Sequence, residues 1–144
     1  MDHEKFMREA LREAEKGDAP FGAVIVNPEG KIVSRGHDNV ITNNDPTAHA
    51  ELTAIRKLCK KTKNRNFKGY FCYSTSEPCA MCMAACLKAK INNFYYGAPM
   101  EKSANLYIRA RYTASKFRKF KINLIGGILK KDCMEQRLSA GGDK

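Results

Sequence analysis

No apolar run in this 144-residue chain approaches the roughly 20 residues that cross a bilayer as a helix, so a membrane protein is not expected. An internal repeat, a low-complexity tract and a flexible linker are also absent. The length suits one hydrophobic core, and a single domain over residues 1–144 is the expectation. The opening residues, Met1 to Lys16, lack the apolar centre of a secretory signal, which leads to the expectation of a cytoplasmic location. Acid is what the later chain lacks most. Residues 1–51 hold ten acids and six bases (net −4), whereas residues 52–144 hold five acids and twenty bases (net +15). Neither Arg56 to Lys68 nor Lys102 to Lys131 contains an acid. Two readings follow: a polyanionic partner, since clustered cations release counterions on meeting phosphates, or a solvated lysine-rich surface.

What is present begins with periodicity. Phe6, Met7, Ala10, Leu11 and Ala14 recur at helical spacing and predict an amphipathic helix over 3–16, ending near Gly17. Gly22 to Asn27 and Lys31 to Gly36 read as strands joined into a hairpin by Pro28-Glu29-Gly30. Asp45-Pro46 offers a helix cap with proline at the first helical position, for a helix continuing to Lys60. Tyr70 to Thr75 is a third strand, and Glu77-Pro78 opens a second capped helix running to about Lys90. Ile91 to Gly97 is a fourth strand, Ser103 to Phe120 a helix, and Ile122 to Ile128 a fifth strand with a short basic helix behind it. Gly141 and Gly142 mark a frayed tail. Strand–helix alternation after the hairpin predicts an α/β fold, a three-layer α/β/α sandwich. Its mixed five-stranded sheet is mostly parallel after the N-terminal hairpin and carries helices on both faces.

The chemistry is concentrated in two short stretches. His49-Ala50-Glu51 is followed, after twenty-six intervening residues, by Pro78-Cys79-Ala80-Met81-Cys82. A Cys-x-x-Cys pair with a distant histidine reads as a metal site rather than a disulfide. Cys79 and Cys82, at i and i+3, share a helix face, and a helix N-terminus favours the thiolate that binds metal. His49 would supply the third ligand from the neighbouring helix start. A tetrahedral zinc with three protein ligands keeps one position open for water, so one zinc per subunit is expected. Glu51 binds no metal in this scheme. It is the expected catalytic group, taking a proton from water and delivering it to a ring nitrogen and then to departing ammonia. One alternative is a closed structural site with Cys86, four residues beyond Cys82, as fourth ligand. A second is a zinc-keeping partner subunit without catalysis, against which Glu51 argues, and a third is a non-catalytic zinc-stabilised RNA-binding module. Cys59, Cys72 and Cys133 sit in apolar or helical contexts and read as small buried thiols, the default for Cys86 as well.

With these motifs the chain resembles the cytidine-deaminase-like superfamily, and within it the zinc-dependent purine branch of guanine deaminases and tRNA adenosine deaminases. The resemblance runs from Pro20-Phe21-Gly22-Ala23-Val24-Ile25-Val26 through Asn39 and Asp45-Pro46-Thr47-Ala48-His49-Ala50-Glu51 to Glu77-Pro78-Cys79-Ala80-Met81-Cys82. It implies hydrolytic removal of the exocyclic amine of a purine-type base or nucleoside. Asn39 would hydrogen-bond the base, Phe21 would pack against it, and the backbone N–H of Ala50 would assist. Pro20-Phe21-Gly22 and Glu51-Leu52-Thr53-Ala54-Ile55-Arg56 look like guanine deaminases, the reading preferred here. The stretch Ala98 to Ser103 lacks the Gly-Ala-x-Gly-Ser typical of tRNA adenosine deaminases, which also favours a small substrate. Against guanine, Ala104 to Tyr107 holds no acid where guanine deaminases carry an aspartate. For the alternative, tRNA, the basic segment offers Arg109, Arg111, Arg118 and Lys119, interleaved with Tyr112, Phe117 and Phe120, as nucleic-acid contacts or simply as an exposed amphipathic helix. The resemblance further implies a homodimer.

Overall fold

A computed structural model describes residues 1–117 and 120–139. Its elements run α1 (His3–Ala14), β1 (Gly22–Val26), β2 (Ile32–His37), α2 (Ala50–Thr62), β3 (Phe71–Ser76), α3 (Ala80–Lys88), β4 (Asn93–Ala98), α4 (Ala110–Ser115), β5 (Asn123–Ile125) and α5 (Lys130–Ser139). One sheet has the order β2-β1-β3-β4-β5. β1 is antiparallel to both β2 and β3, while β3, β4 and β5 are mutually parallel. The expected mixed α/β sandwich is thus the architecture found. No helix among the described residues is long and apolar enough to cross a membrane.

Side chains alternate across the sheet, as the period of two requires. Val24, Val26, Tyr73 and Tyr95 face α1 and α5, packing with Phe6, Met7, Ala10 and Cys133. Ile25, Cys72, Phe94 and Leu124 face the other way, onto Ala54 and Leu58 of α2, Met83 and Leu87 of α3 and Ala110 of α4. Because β1 is antiparallel to both its neighbours, β2 and β3 run in the same direction. The helices that follow them, α2 and α3, therefore start at the same edge of the sheet, the carboxyl end where open α/β folds bind ligands.

Three sequence expectations are corrected, the first being that Glu77-Pro78 opens a helix: α3 begins only at Ala80, with Cys79 as its N-cap. Asp45-Pro46 does not start a helix. The Asp45 carboxylate accepts from the backbone N–H and hydroxyl of Thr47 and closes a turn, and α2 begins only at Ala50. The helix expected over Ser103 to Phe120 is confined to Ala110–Ser115; the chain before it is a loop whose ends are held by side chains described below. Arg118, Lys119, Gly141 and Gly142 lie outside the described residues.

Gly36 sets how closely α2 approaches the sheet. A Cβ there would lie 2.2 Å from the Ala50 carbonyl oxygen and 2.7 Å from the Ala54 nitrogen. Both are helix backbone, so relief requires α2 to move. Gly36→Ala is expected to cost about 3 kcal/mol in denaturant unfolding. Because Ala50 lies between His49 and Glu51, it should also weaken zinc retention, read by metal analysis after dialysis.

Candidate active site

His49 and Cys79 occupy equivalent places, each the N-cap residue of its helix. Their backbones are extended (φ −72°, ψ 163° and φ −68°, ψ 169°), and neither side chain caps its helix. Both are therefore available for another partner, and they find one another. Cys79 Sγ and Cys82 Sγ each lie 3.5 Å from His49 Nδ1, and all three ligand atoms fall within 4.8 Å of one another. Zinc–nitrogen and zinc–sulfur lengths of about 2.0 and 2.3 Å at a tetrahedral angle place N and S roughly 3.5 Å apart, so the three side chains fit a zinc ion. The hydrogen bond from Cys82, together with one from His49, outweighs burial and brings the Cys79 thiol down to about 3, favouring the thiolate that binds metal.

Cys86 is not part of this group. It is buried in the core between sheet and helices, and its hydrogen bond with Cys72 together with burial pushes its thiol well above the ordinary value. A closed four-ligand site is therefore not what the geometry presents.

Glu51, in the first turn of α2, is 2 % exposed. Its Oε2 accepts from Ser74 Oγ at 3.1 Å, while Oε1 is buried with no hydrogen-bond partner among the described residues. A buried carboxylate oxygen without a partner costs free energy. Ser74 Oγ also lies 2.7 Å from the Ser76 carbonyl oxygen, so its single proton can go to either acceptor. Ser74 carried little signal in the sequence beyond being a small polar residue inside an aromatic strand.

The residues expected to meet a substrate surround this edge. Phe21 and Ala50 are buried in one small apolar cluster with Ala23. Asn39 follows β2, and its backbone N–H donates to the carbonyl of Ala48, next to His49. Among the described residues its side-chain amide makes no hydrogen bond, leaving donor and acceptor available. Of the basic candidates, Arg109 Nε donates to both oxygens of Glu77 at 2.9 and 2.8 Å, and Arg111 donates to the Leu124 carbonyl. Both arginines thus have intramolecular partners.

In the sequence Glu77 read only as part of the opening of a capped helix. Its carboxylate, buried directly before Pro78 and Cys79, also accepts from the backbone N–H groups of Met100 and Ala110 at 3.0 and 2.8 Å. Burial alone would raise its pKa, but the bonds from Arg109, Met100 and Ala110 prevail and hold it below the ordinary carboxylate value. These partners lie 23 to 33 residues away in sequence, and no local pattern announces them.

A family model for the cytidine and deoxycytidylate deaminase zinc-binding region matches residues 1–98. The tRNA-specific adenosine deaminase of Rickettsia bellii is 37% identical over 131 residues, covering 88% of this chain and 90% of that protein. The guanine deaminase of Bacillus subtilis is 44% identical over 103 residues, covering 68% of this chain and 65% of that protein. A solved structure from work on A-to-I editing by tRNA:A34 deaminases at the wobble position of transfer RNA superposes with a TM-score of 0.80 at 32% identity. That match covers 92% of this chain and 98% of the other.

Proposed function

The chain belongs to the family of the cytidine and deoxycytidylate deaminase zinc-binding region, and from that membership we propose that it replaces the exocyclic amine of a purine-type base with oxygen from water. His49, Cys79 and Cys82 hold one zinc and Glu51 moves the protons. The observation that carries this reading is the buried Oε1 of Glu51, without a hydrogen-bond partner among the described residues, in the helix turn that follows His49. A carboxylate kept there at a cost in stability is positioned for chemistry rather than for folding.

When bound, zinc supplies a Lewis acid that makes water nucleophilic near neutral pH. Glu51 accepts a proton from the attacking water and passes it to the ring nitrogen beside the amine-bearing carbon. The hydroxyl now on that carbon gives its proton through the same carboxyl to the amine, and as the C–N bond breaks ammonia leaves and the oxygen remains as the carbonyl. Ser74 orients Glu51 when its hydroxyl donates to Oε2, and the same hydroxyl can turn to the Ser76 carbonyl when the carboxyl carries a proton. The Asn39 amide orients the base edge, Phe21 packs against the base, and the Ala50 N–H lies at the start of the same helix.

As substrate we propose adenosine in a tRNA stem-loop, converted to inosine, in preference to guanine. Similarity to the R. bellii protein extends along both chains, whereas that to the guanine deaminase spans 65% of the latter. Ala104 to Tyr107 offers no acid to serve guanine, and Leu106, Tyr107 and Tyr112 are exposed, with Lys116 Nζ 5.0 Å from the centre of the Tyr112 ring. Exposed aromatics among cations suit unstacked RNA bases. Free guanine is the second reading, favoured by the 44% identity and by Phe21 buried against Ala50.

Ammonia release measured across guanine, guanosine, adenine, cytosine, related triazines and a tRNA anticodon stem-loop separates the two. The expected result is inosine in the stem-loop, with binding that weakens steeply as salt rises. Turnover of guanine alone, insensitive to salt, would select the second reading. Inertness toward every member would refute the deaminase proposal. The homodimer belongs to the same proposal, and sedimentation of the zinc-loaded chain at twice 16.2 kDa tests it.

A further inference from the structure

The loop between β4 and α4 is fastened at both feet to the end of β3. At one foot, the Glu77 carboxylate accepts from Met100 N–H, and at the other from Ala110 N–H and Arg109 Nε. A second fastening comes from the opposite face of the sheet. Arg137 of α5, itself buried, donates to Glu101 Oε1 at 2.7 Å, to Ser76 Oγ at 2.6 Å and to the Pro99 carbonyl at 3.1 Å. Two charged side chains, each nearly removed from water, are thus committed to a stretch with no regular structure between Pro99 and Arg109. A buried carboxylate is costly unless its lone pairs are filled, and Glu77 fills them with three donors from this one loop.

Between those feet the loop is open to solvent, and next to the exposed polar Lys102, Ser103 and Asn105 it presents Leu106, 62 % exposed, and Tyr107, 42 % exposed. A loop held at its base that presents a leucine and a tyrosine to solvent has the build of a recognition element on a scaffold. Its base touches the residue two before Cys79, so it stands beside the ligand turn.

We infer that Glu77 is a positioning residue that clamps the 100–110 loop against the Pro78-Cys79 turn, so that Leu106 and Tyr107 form the rim on which the substrate base is received. The inference rests on the proposed deamination and assigns specificity to a part of the chain outside the two metal motifs. Glu77 moves no proton and binds no metal in this scheme. Its effect reaches the substrate through the loop.

Two variants test it on zinc-loaded protein, with the substrate that the wild-type protein turns over best. Glu77→Gln keeps the shape and one acceptor but loses the charge that three donors share. It is expected to retain one zinc per chain, keep kcat within about threefold and raise KM about tenfold, the size of effect of a weakened charge-assisted hydrogen bond. Hydrogen exchange at the Met100 and Ala110 amides should quicken in the same protein. The variant Leu106→Ser with Tyr107→Phe removes the exposed leucine and the tyrosine hydroxyl that contacts Arg109 while keeping the ring, so zinc content should stay at one per chain and melting temperature within about 2 °C while KM rises about tenfold. An unchanged KM in either variant would overturn the inference. So would Glu77→Gln losing zinc and activity together, since Glu77 would then serve only the ligand turn. Failure of the deaminase reading would show separately, as zinc-loaded wild-type protein that turns over nothing.

Discussion

Glu51→Gln is expected to retain one zinc per chain and to lower kcat by about 10³-fold or more, with little change in KM. The exchange keeps shape and volume. It replaces the one group placed to accept and return a proton, and positioned acid–base catalysis contributes roughly 10²–10⁴-fold. Stability should move the other way. Glu51 is buried with one carboxylate oxygen unpartnered, and a neutral amide is cheaper to bury, so melting temperature should rise by about 2–4 °C. More stable and far less active is the signature of a group held for chemistry at the expense of the fold. Unaltered kcat would remove Glu51 from its role. Loss of zinc would mean that it supports the ligands instead.

Cys82→Ser is expected to abolish both zinc retention and turnover. Cys82 is buried, and its Sγ faces His49 Nδ1 at 3.5 Å, so the serine cannot swing toward a substitute ligand. A metal that binds only the folded chain stabilises it by mass action, by about 4 kcal/mol when free metal exceeds the dissociation constant a thousandfold. For a chain of this size that corresponds to a fall in melting temperature of about 10 °C relative to the zinc-loaded parent. Wild-type protein stripped with a chelator should show the same low melting temperature and no turnover. Unlike the variant, it should recover both when one equivalent of zinc is returned.

The metal ligands were legible because thiolates at i and i+3 beside a helix start, with a distant histidine, have little other use. Their local geometry was not. An ideal helix would turn Glu51 about 200° from His49, but that geometry assumes both residues are helical. His49 is instead an extended N-cap residue, because Asp45 spends its carboxylate closing a turn and delays the helix to Ala50. The same delay at Cys79 makes the two ligand-bearing helix starts alike. Strand direction was legible because helices between strands impose parallel crossovers and a short turn imposes a hairpin. The loop before α4 was not, since what displaces its expected helix is the long-range commitment of Met100 and Ala110 N–H groups to Glu77. The intramolecular partner of Arg109 was hidden for a related reason. Among many bases nothing in the sequence marked it as the one whose Nε is engaged by the same carboxylate. Side chains that act across the fold leave no periodic trace in the chain.

Hydrolysis at an amine-bearing carbon has a direct signature in turnover carried out in water enriched in oxygen-18. Zinc-loaded protein with its preferred substrate should release one ammonia per product and place one heavy oxygen on the carbon that lost the amine. Product without the label, or label without stoichiometric ammonia, would contradict the account.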